Sequence, residues 1–163
     1  MKTIREKHHR LPRDRYQGDV TVAFTLCLEQ RMPFFVSVQV VDVFVEHLRR
    51  ASVAFRARVI YCFMPEHLHT ITIGGEPESD ALRFMQMFKQ TTGWWLKNNH
   101  PEVEWQKSFY DRIARSIYEE AHLTRYLVNN PVRRGLVEEW KDYPFTGAIG
   151  LDLYRFLEEL MPS

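Results

Sequence analysis

Met64-Pro65-Glu66-His67-Leu68-His69-Thr70-Ile71-Thr72-Ile73 is the stretch on which the reading of this chain turns. From His67 onward it alternates and is rich in threonine and isoleucine, a pattern that favours a β-strand. Side chains at i and i+2 of a strand share a face. His67 and His69 are therefore expected side by side, with Leu68 turned into packing, and two imidazoles so placed can hold one metal ion. Pro65 falls at the start of the strand, where no ladder bond is lost. Residues 53–63 alternate as well, with Phe55, Ala57, Val59, Tyr61 and Phe63 facing one way and Arg56 and Arg58 the other. Only Met64-Pro65-Glu66 separates the two runs, which predicts an antiparallel pair, ended by Gly74-Gly75.

Working outward, residues 20–28 place Val20, Val22, Phe24, Leu26 and Leu28 on one face, the signature of a strand with one buried face. Residues 37–50 carry Val40, Val41, Phe44, Val45 and Leu48 at helical spacing, with Ser37 as cap. Ser79 or Asp80 caps a second predicted helix, which carries Leu82, Met85, Phe88 and Trp95 before the breaker Asn98-Asn99-His100-Pro101. Residues 105–114, WQKSFYDRIA, read as a fourth strand. Ser116-Ile117-Tyr118-Glu119 fits a capping box for a helix through Tyr126 to about residue 129. Pro131 disfavours helical geometry at Asn130, so Asn130 reads as the cap of a separate short helix that Gly135 ends. Residues 142–145 read as a loop and 151–160 as a last amphipathic stretch. The order is βαββαβ, then helices. This predicts an α+β, ferredoxin-like sandwich with an antiparallel sheet, helices on one face and extra C-terminal helices, as one domain over residues 1–163.

The composition, 45% apolar and 26% charged over 163 residues, suits a globular chain with a sizeable core. The net charge of +1 does not by itself demand a nucleic-acid partner. Its distribution points further: residues 1–15 form a basic arm with Arg10, Arg13 and Arg15 at its end, suited to phosphate contacts. No apolar run reaches membrane-spanning length, and residues 1–15 lack a signal-peptide core. Cys27 and Cys62 lie in strand-like runs and are expected as buried thiols, with the cytoplasm as the default location.

Tyr126 and Asn130 stand one helical turn apart. A tyrosine hydroxyl is a weak nucleophile unless its target is polarised or its proton removed. A metal at His67 and His69 supplies the first, and Asn130 can add an oxygen ligand. These residues, with HRLPRDRYQG, MPEHLH, WQKSFYDR, RYLVNNPVRRGLV and DYPF, resemble the REP-associated tyrosine transposases, a branch of the single-tyrosine HUH transposases. The resemblance spans nearly the whole chain. It implies the ferredoxin-like fold, His67, His69 and Asn130 as ligands of a divalent ion (Mg²⁺ or Mn²⁺), and Tyr126 as the nucleophile. The implied reaction nicks and joins single-stranded DNA at REP-type hairpins through a 5′-phosphotyrosine, by a monomer or a homodimer. Arg133 and Arg134 in the tail join Arg10, Arg13 and Arg15 as expected DNA contacts. Two rival readings remain: a non-catalytic DNA- or RNA-hairpin-binding protein on the same fold, and a metal-dependent phosphoesterase that uses water. Thr70 and Thr72 make the histidine strand more polar than is usual in the family, and Arg112 stands where a histidine is frequent.

Overall fold

The computed structural model describes residues 10–160. Five strands, β1 (Thr21–Cys27), β2 (Ala57–Met64), β3 (His67–Gly74), β4 (Tyr110–Ile113) and β5 (Thr146–Ile149), form one sheet. They are joined by helices α1 (Val38–Phe55), α2 (Ala81–Asn99), α3 (Ile117–Arg133) and α4 (Leu153–Leu160). The sheet order is β4-β1-β3-β2-β5, with every neighbouring pair antiparallel. The first four strands reproduce the expected βαββαβ arrangement, and β5 extends it on the β2 edge. The β2–β3 hairpin closes at Met64↔His67, leaving Pro65 and Glu66 as its two loop residues. Across the other edge of β3, the register sets Thr25 opposite His69 and Cys27 opposite His67.

Alternation along the strands makes two different faces. Val22, Phe24, Leu26, Val59, Phe63 and Leu68 bury against α1 and α2, whose Phe44 and Phe88 join Phe35 and Trp105 in an edge-to-face aromatic cluster. Ile60, Cys62, Met64, Ile71 and Ile73 face the other way, onto Leu127 and Val128 of α3 and Leu153 and Leu157 of α4. The expectation of helices on one face holds for α1 and α2 only; α3 and α4 cover the second. Cys27 and Cys62 are buried free thiols, and burial pushes Cys62 up to about 12. Among the described residues no helix is long and apolar enough to cross a membrane.

Four boundaries depart from the sequence reading. Ser37 caps α1 as expected, its hydroxyl accepting the Val40 N–H at 3.3 Å. The helix, however, runs on to Phe55 and ends at Arg56 in the left-handed region, φ 52°. Residues 53–55, read as strand from alternation, are its last turn. Trp105 is not in β4: its indole N–H donates to Thr92 at 2.9 Å, and this pull into the aromatic core leaves it only an isolated bridge to Leu28. β5 was not expected. In Thr146-Gly147-Ala148-Ile149 the central Gly-Ala pair offsets the strand preference of Thr146 and Ile149, and pairing with the open edge of β2 decides it.

The fourth departure shapes the site. Helix α3 does not stop at residue 129 but continues through Pro131 to Arg133. Ser116 caps its start, accepting the Glu119 N–H at 3.1 Å. At the other end Leu136 N–H bonds to Pro131 C=O and Gly135 N–H to Val132 C=O, with Gly135 at φ 72°. This is a Schellman closure. The proline therefore lies in the final turn, where its missing N–H removes one intrahelical bond without ending the helix, and Asn130 is a helical residue and not a cap.

Candidate active site

His67 and His69 emerge on one face of β3, as strand geometry requires, with Nε2 atoms 3.0 Å apart. Each ring has its other nitrogen engaged: His67 Nδ1 lies 3.1 Å from Glu66 Oε1, and His69 Nδ1 lies 3.1 Å from Thr25 Oγ1. Glu66 is buried at the hairpin turn, and its Oε1 also accepts from Arg134 Nη1 at 2.6 Å. Burial pushes the Glu66 carboxyl up, but the bond to Arg134 and the charges of His67 and Arg134 outweigh it, so the net direction is down. An ionised Glu66 requires His67 to carry its proton on Nδ1, leaving Nε2 bare. In that tautomer His69 Nε2–H donates to His67 Nε2, and His69 Nδ1 accepts from Thr25.

Both imidazoles are held neutral. Burial lowers His67, and burial, followed by the charges of His67 and Arg133, pushes His69 down to about 3. Neutral imidazole is the form that binds a metal. The gap of 3.0 Å is close to what two nitrogens span when each lies about 2.1 Å from a shared ion. The residues therefore fit a divalent ion, with the proton between the rings displaced and Glu66 and Thr25 as outer partners that fix ring orientation. Glu66 and Thr25 went unrecognised in the sequence; the only signal was the position of Glu66 directly before His67.

Helix α3 carries both Tyr126 and Asn130, and it sets the Tyr126 ring beside His69. The Tyr126 ring is half exposed, with its centroid 6.5 Å from that of His69 at 88°. Tyr126 and His69 line a cleft of about 480 Å³ between β1, β3, β4 and α3, together with Thr25, Tyr110, Arg112 and His122. Asn130 is buried, with Oδ1 accepting from Arg133 Nη2 at 2.7 Å. Its Nδ2 is buried without a partner, an arrangement that costs about 1–3 kcal/mol. The Arg133 guanidinium lies over the Tyr126 ring, 3.8 Å from its centroid, and donates to the Tyr126 carbonyl at 2.8 Å. Among the described residues no three His, Cys, Asp or Glu side chains are placed to hold one metal ion between them.

The expected DNA-contacting arginines separate into groups. Arg10 Nη1 pairs with buried Asp111 at 2.5 Å, and its guanidinium lies 3.9 Å from the Phe109 ring centroid. Tyr16 donates to the same Asp111 oxygen at 3.0 Å. Arg13 and Arg15 stand exposed on a 3-10 turn, Arg13–Tyr16. Arg133 and Arg134 are exposed but already bonded, to Asn130 and Glu66 respectively. Residues 1–9 of the basic arm lie outside the described residues. Arg112 pairs with Glu119 of α3 at 2.7 Å.

A histidine pair on a central strand, faced by a tyrosine one turn before the last turn of a helix, defines a class. Residues 17–130 match the family described as Transposase IS200 like, and the chain belongs to that family. It is 33% identical over 85 residues to the REP-associated tyrosine transposase of Escherichia coli K12, covering 51% of this chain and 48% of that one. It is 30% identical over 101 residues to the putative REP-associated tyrosine transposase of Haemophilus influenzae, covering 54% and 56%. The chain thus spans about half the length of these curated relatives. A solved structure of a REP-associated tyrosine transposase bound to a REP hairpin shares the fold, with a TM-score of 0.70 at 24% identity over 86% of this chain and 81% of that one.

Proposed function

We propose that this chain nicks and rejoins single-stranded DNA at REP-type hairpins, with Tyr126 as nucleophile and His67, His69 and Asn130 as the ligands of a divalent ion, Mg²⁺ or Mn²⁺. The observation that carries the reading is the facing Nε2 pair of His67 and His69, with the Tyr126 ring edge-on to His69 across an open cleft. REP-associated relatives, and a fold neighbour bound to a REP hairpin, support the choice of substrate.

When bound, the ion withdraws charge from a phosphate oxygen. The chain's own residues do the rest. Glu66 and Thr25 fix the two imidazoles, and α3 presents Tyr126 on a rigid element beside them. The Tyr126 oxygen bonds to phosphorus as the bond from phosphorus to the 3′ oxygen breaks. The phenolic proton is released, and the 3′ oxygen leaves as a hydroxyl after taking up one proton. The 5′-phosphotyrosine keeps the ester, so a second 3′-hydroxyl can reverse the step without an external energy source.

Tyr126→Phe tests this directly, because it removes one hydroxyl from a half-exposed ring. The wild-type chain with a REP-type hairpin oligonucleotide and Mn²⁺ should yield a covalent protein–DNA adduct on a denaturing gel, and Tyr126→Phe should yield none while still binding the hairpin. An adduct that survives the substitution removes Tyr126 as nucleophile. Hairpin binding with no adduct from the wild-type chain favours the non-catalytic binding protein. Strand cleavage without an adduct, in both proteins, favours water as the nucleophile.

A further inference from the structure

Arg133 belongs to no element of that chemistry, yet it touches both residues that α3 contributes. One nitrogen, Nη2, donates to the Tyr126 carbonyl at 2.8 Å and to Asn130 Oδ1 at 2.7 Å, while the planar group covers the Tyr126 ring. Its positive charge is felt at His69. The described bonds use Nη2 alone, whereas a guanidinium carries five donors in a fork that matches phosphate oxygens bidentately. Among the described residues this is the one hydrogen bond that orients the Asn130 side chain: its Oδ1 accepts from Arg133 and its buried Nδ2 has no partner.

We propose that Arg133 is an exchangeable latch that holds Asn130 Oδ1 in the free protein and transfers to a DNA phosphate when the strand enters, releasing Asn130 to the ion. This rests on the ligand set and nucleophile proposed above. The argument is electrostatic. A guanidinium and a divalent cation on one amide oxygen repel each other, so the ion and Arg133 compete for Oδ1 while the cleft is empty. A phosphate beside Tyr126 reverses the balance. It offers the guanidinium a stronger, charge-assisted acceptor than a neutral amide, and its negative charge screens the ion from the arginine. Asn130 then turns, and its amide leaves an arrangement in which the buried Nδ2 is unpaired. Ion and DNA therefore bind cooperatively through Arg133, and Arg133 is a positioning residue whose effect shows in binding without any turnover.

The test uses the full chain with Tyr126→Phe, which keeps the ring under the guanidinium and prevents the chemical step. Mn²⁺ affinity is measured by titration calorimetry, alone and with saturating oligothymidylate. The expected result is that oligothymidylate tightens Mn²⁺ binding about 10-fold, within the usual range of coupling between sites. Adding Arg133→Ala should tighten Mn²⁺ binding to the free protein by a similar factor and reduce the coupling to about 2-fold or less. Arg133→Met, which keeps an unbranched apolar stem and removes only the guanidinium, should behave in the same way if Arg133→Ala lowers the melting temperature. Unchanged or weaker Mn²⁺ binding by a folded Arg133 variant overturns the latch. Two controls separate that outcome from failure of the ligand set. Mn²⁺ affinity that survives His69→Ala removes the proposed ion site, and affinity that survives Asn130→Ala removes the third ligand.

Discussion

The two faces of the sheet follow different rules. Toward α1 and α2 the strands meet a dry aromatic cluster, in which Phe35, Phe44, Phe63 and Phe88 are all fully buried. Polar atoms are few there: Thr72 donates to the Val22 carbonyl and Trp105 to Thr92, while Thr70 Oγ1 stays without a partner. Toward α3 the apolar packing of Leu127, Val128, Leu153 and Leu157 covers only part of the sheet. The rest carries two neutral imidazoles, a buried carboxylate, a half-paired amide and a cation lying on an aromatic ring. Close packing on the first face supplies the stability that lets the second hold desolvated polar groups in one geometry. Functional groups kept in an unfavourable state depend on such support from elsewhere.

The comparison breaks first on stability. Phe44 is fully buried and meets Phe34, Phe35, Phe63, Phe88, Trp95 and Trp105 edge-on or nearly so. Phe44→Ala should lower unfolding free energy by about 3–5 kcal/mol. Leu157, at 9% exposure on α4, lies at the margin of the second face, so Leu157→Ala should lower it by only about 2 kcal/mol. Urea unfolding of the two variants decides the point: equal losses would mean that both faces carry the fold alike.

A smaller effect, on the ion and not on the fold, is expected at Glu66. Its carboxylate orients His67 and ties β3 to the end of α3 through Arg134. Glu66→Gln keeps the shape and removes the charge, so the His67 tautomer is no longer enforced. Mn²⁺ affinity should fall by about 10-fold, the lower end for outer partners of a ligating histidine, with little change in far-ultraviolet circular dichroism. Unchanged affinity would show that Glu66 serves the hairpin turn alone.

Much of this architecture is legible in the residues. The alternation of β1 and of the β2–β3 hairpin has a period of two, and a one-residue slip would turn every apolar side chain to the wrong face. This is why His67 and His69 could be placed on one face without coordinates. The caps at Ser37 and Ser116 are local chemistry and were equally visible. What failed was decided at a distance. The final turn of α1 carries alternating apolar residues that fit either period, and β5 exists because β2 has an open edge. Pro131 argued for a break, whereas the helix runs through it to Arg133 and closes only at Gly135. At the site, Tyr126 and Asn130 were visible as a helical pair, and the structure sets Tyr126 beside His69 on the cleft. Which arginine meets which partner was not visible, because Arg10 and Asp111, or Arg134 and Glu66, are brought together only by the fold.

The arm before β1 offers the finest test, since it sets Arg10 against Arg13 and Arg15. Sequence gives all three the same role. The structure separates them: Arg10 is largely covered, with 22% of its side chain exposed, and pairs with Asp111, which is buried to 1%. Arg13 and Arg15 project from their turn into solvent. Arg10→Met keeps an unbranched apolar stem and removes the guanidinium from Phe109 and from a mostly buried ion pair. It should destabilise the fold by about 1–3 kcal/mol, the range for weakening a charged hydrogen bond, and leave the salt dependence of hairpin binding unchanged. Arg13→Ala with Arg15→Ala should do the reverse. Unfolding free energy should stay within about 0.5 kcal/mol, while the slope of log affinity against log salt should fall by about one unit for each phosphate that the turn no longer neutralises. If the double variant binds the hairpin with an unchanged slope, the turn touches no phosphate. If Arg10→Met lowers the slope as well, the guanidinium leaves Asp111 when DNA binds, and the ion pair holds only in the free chain.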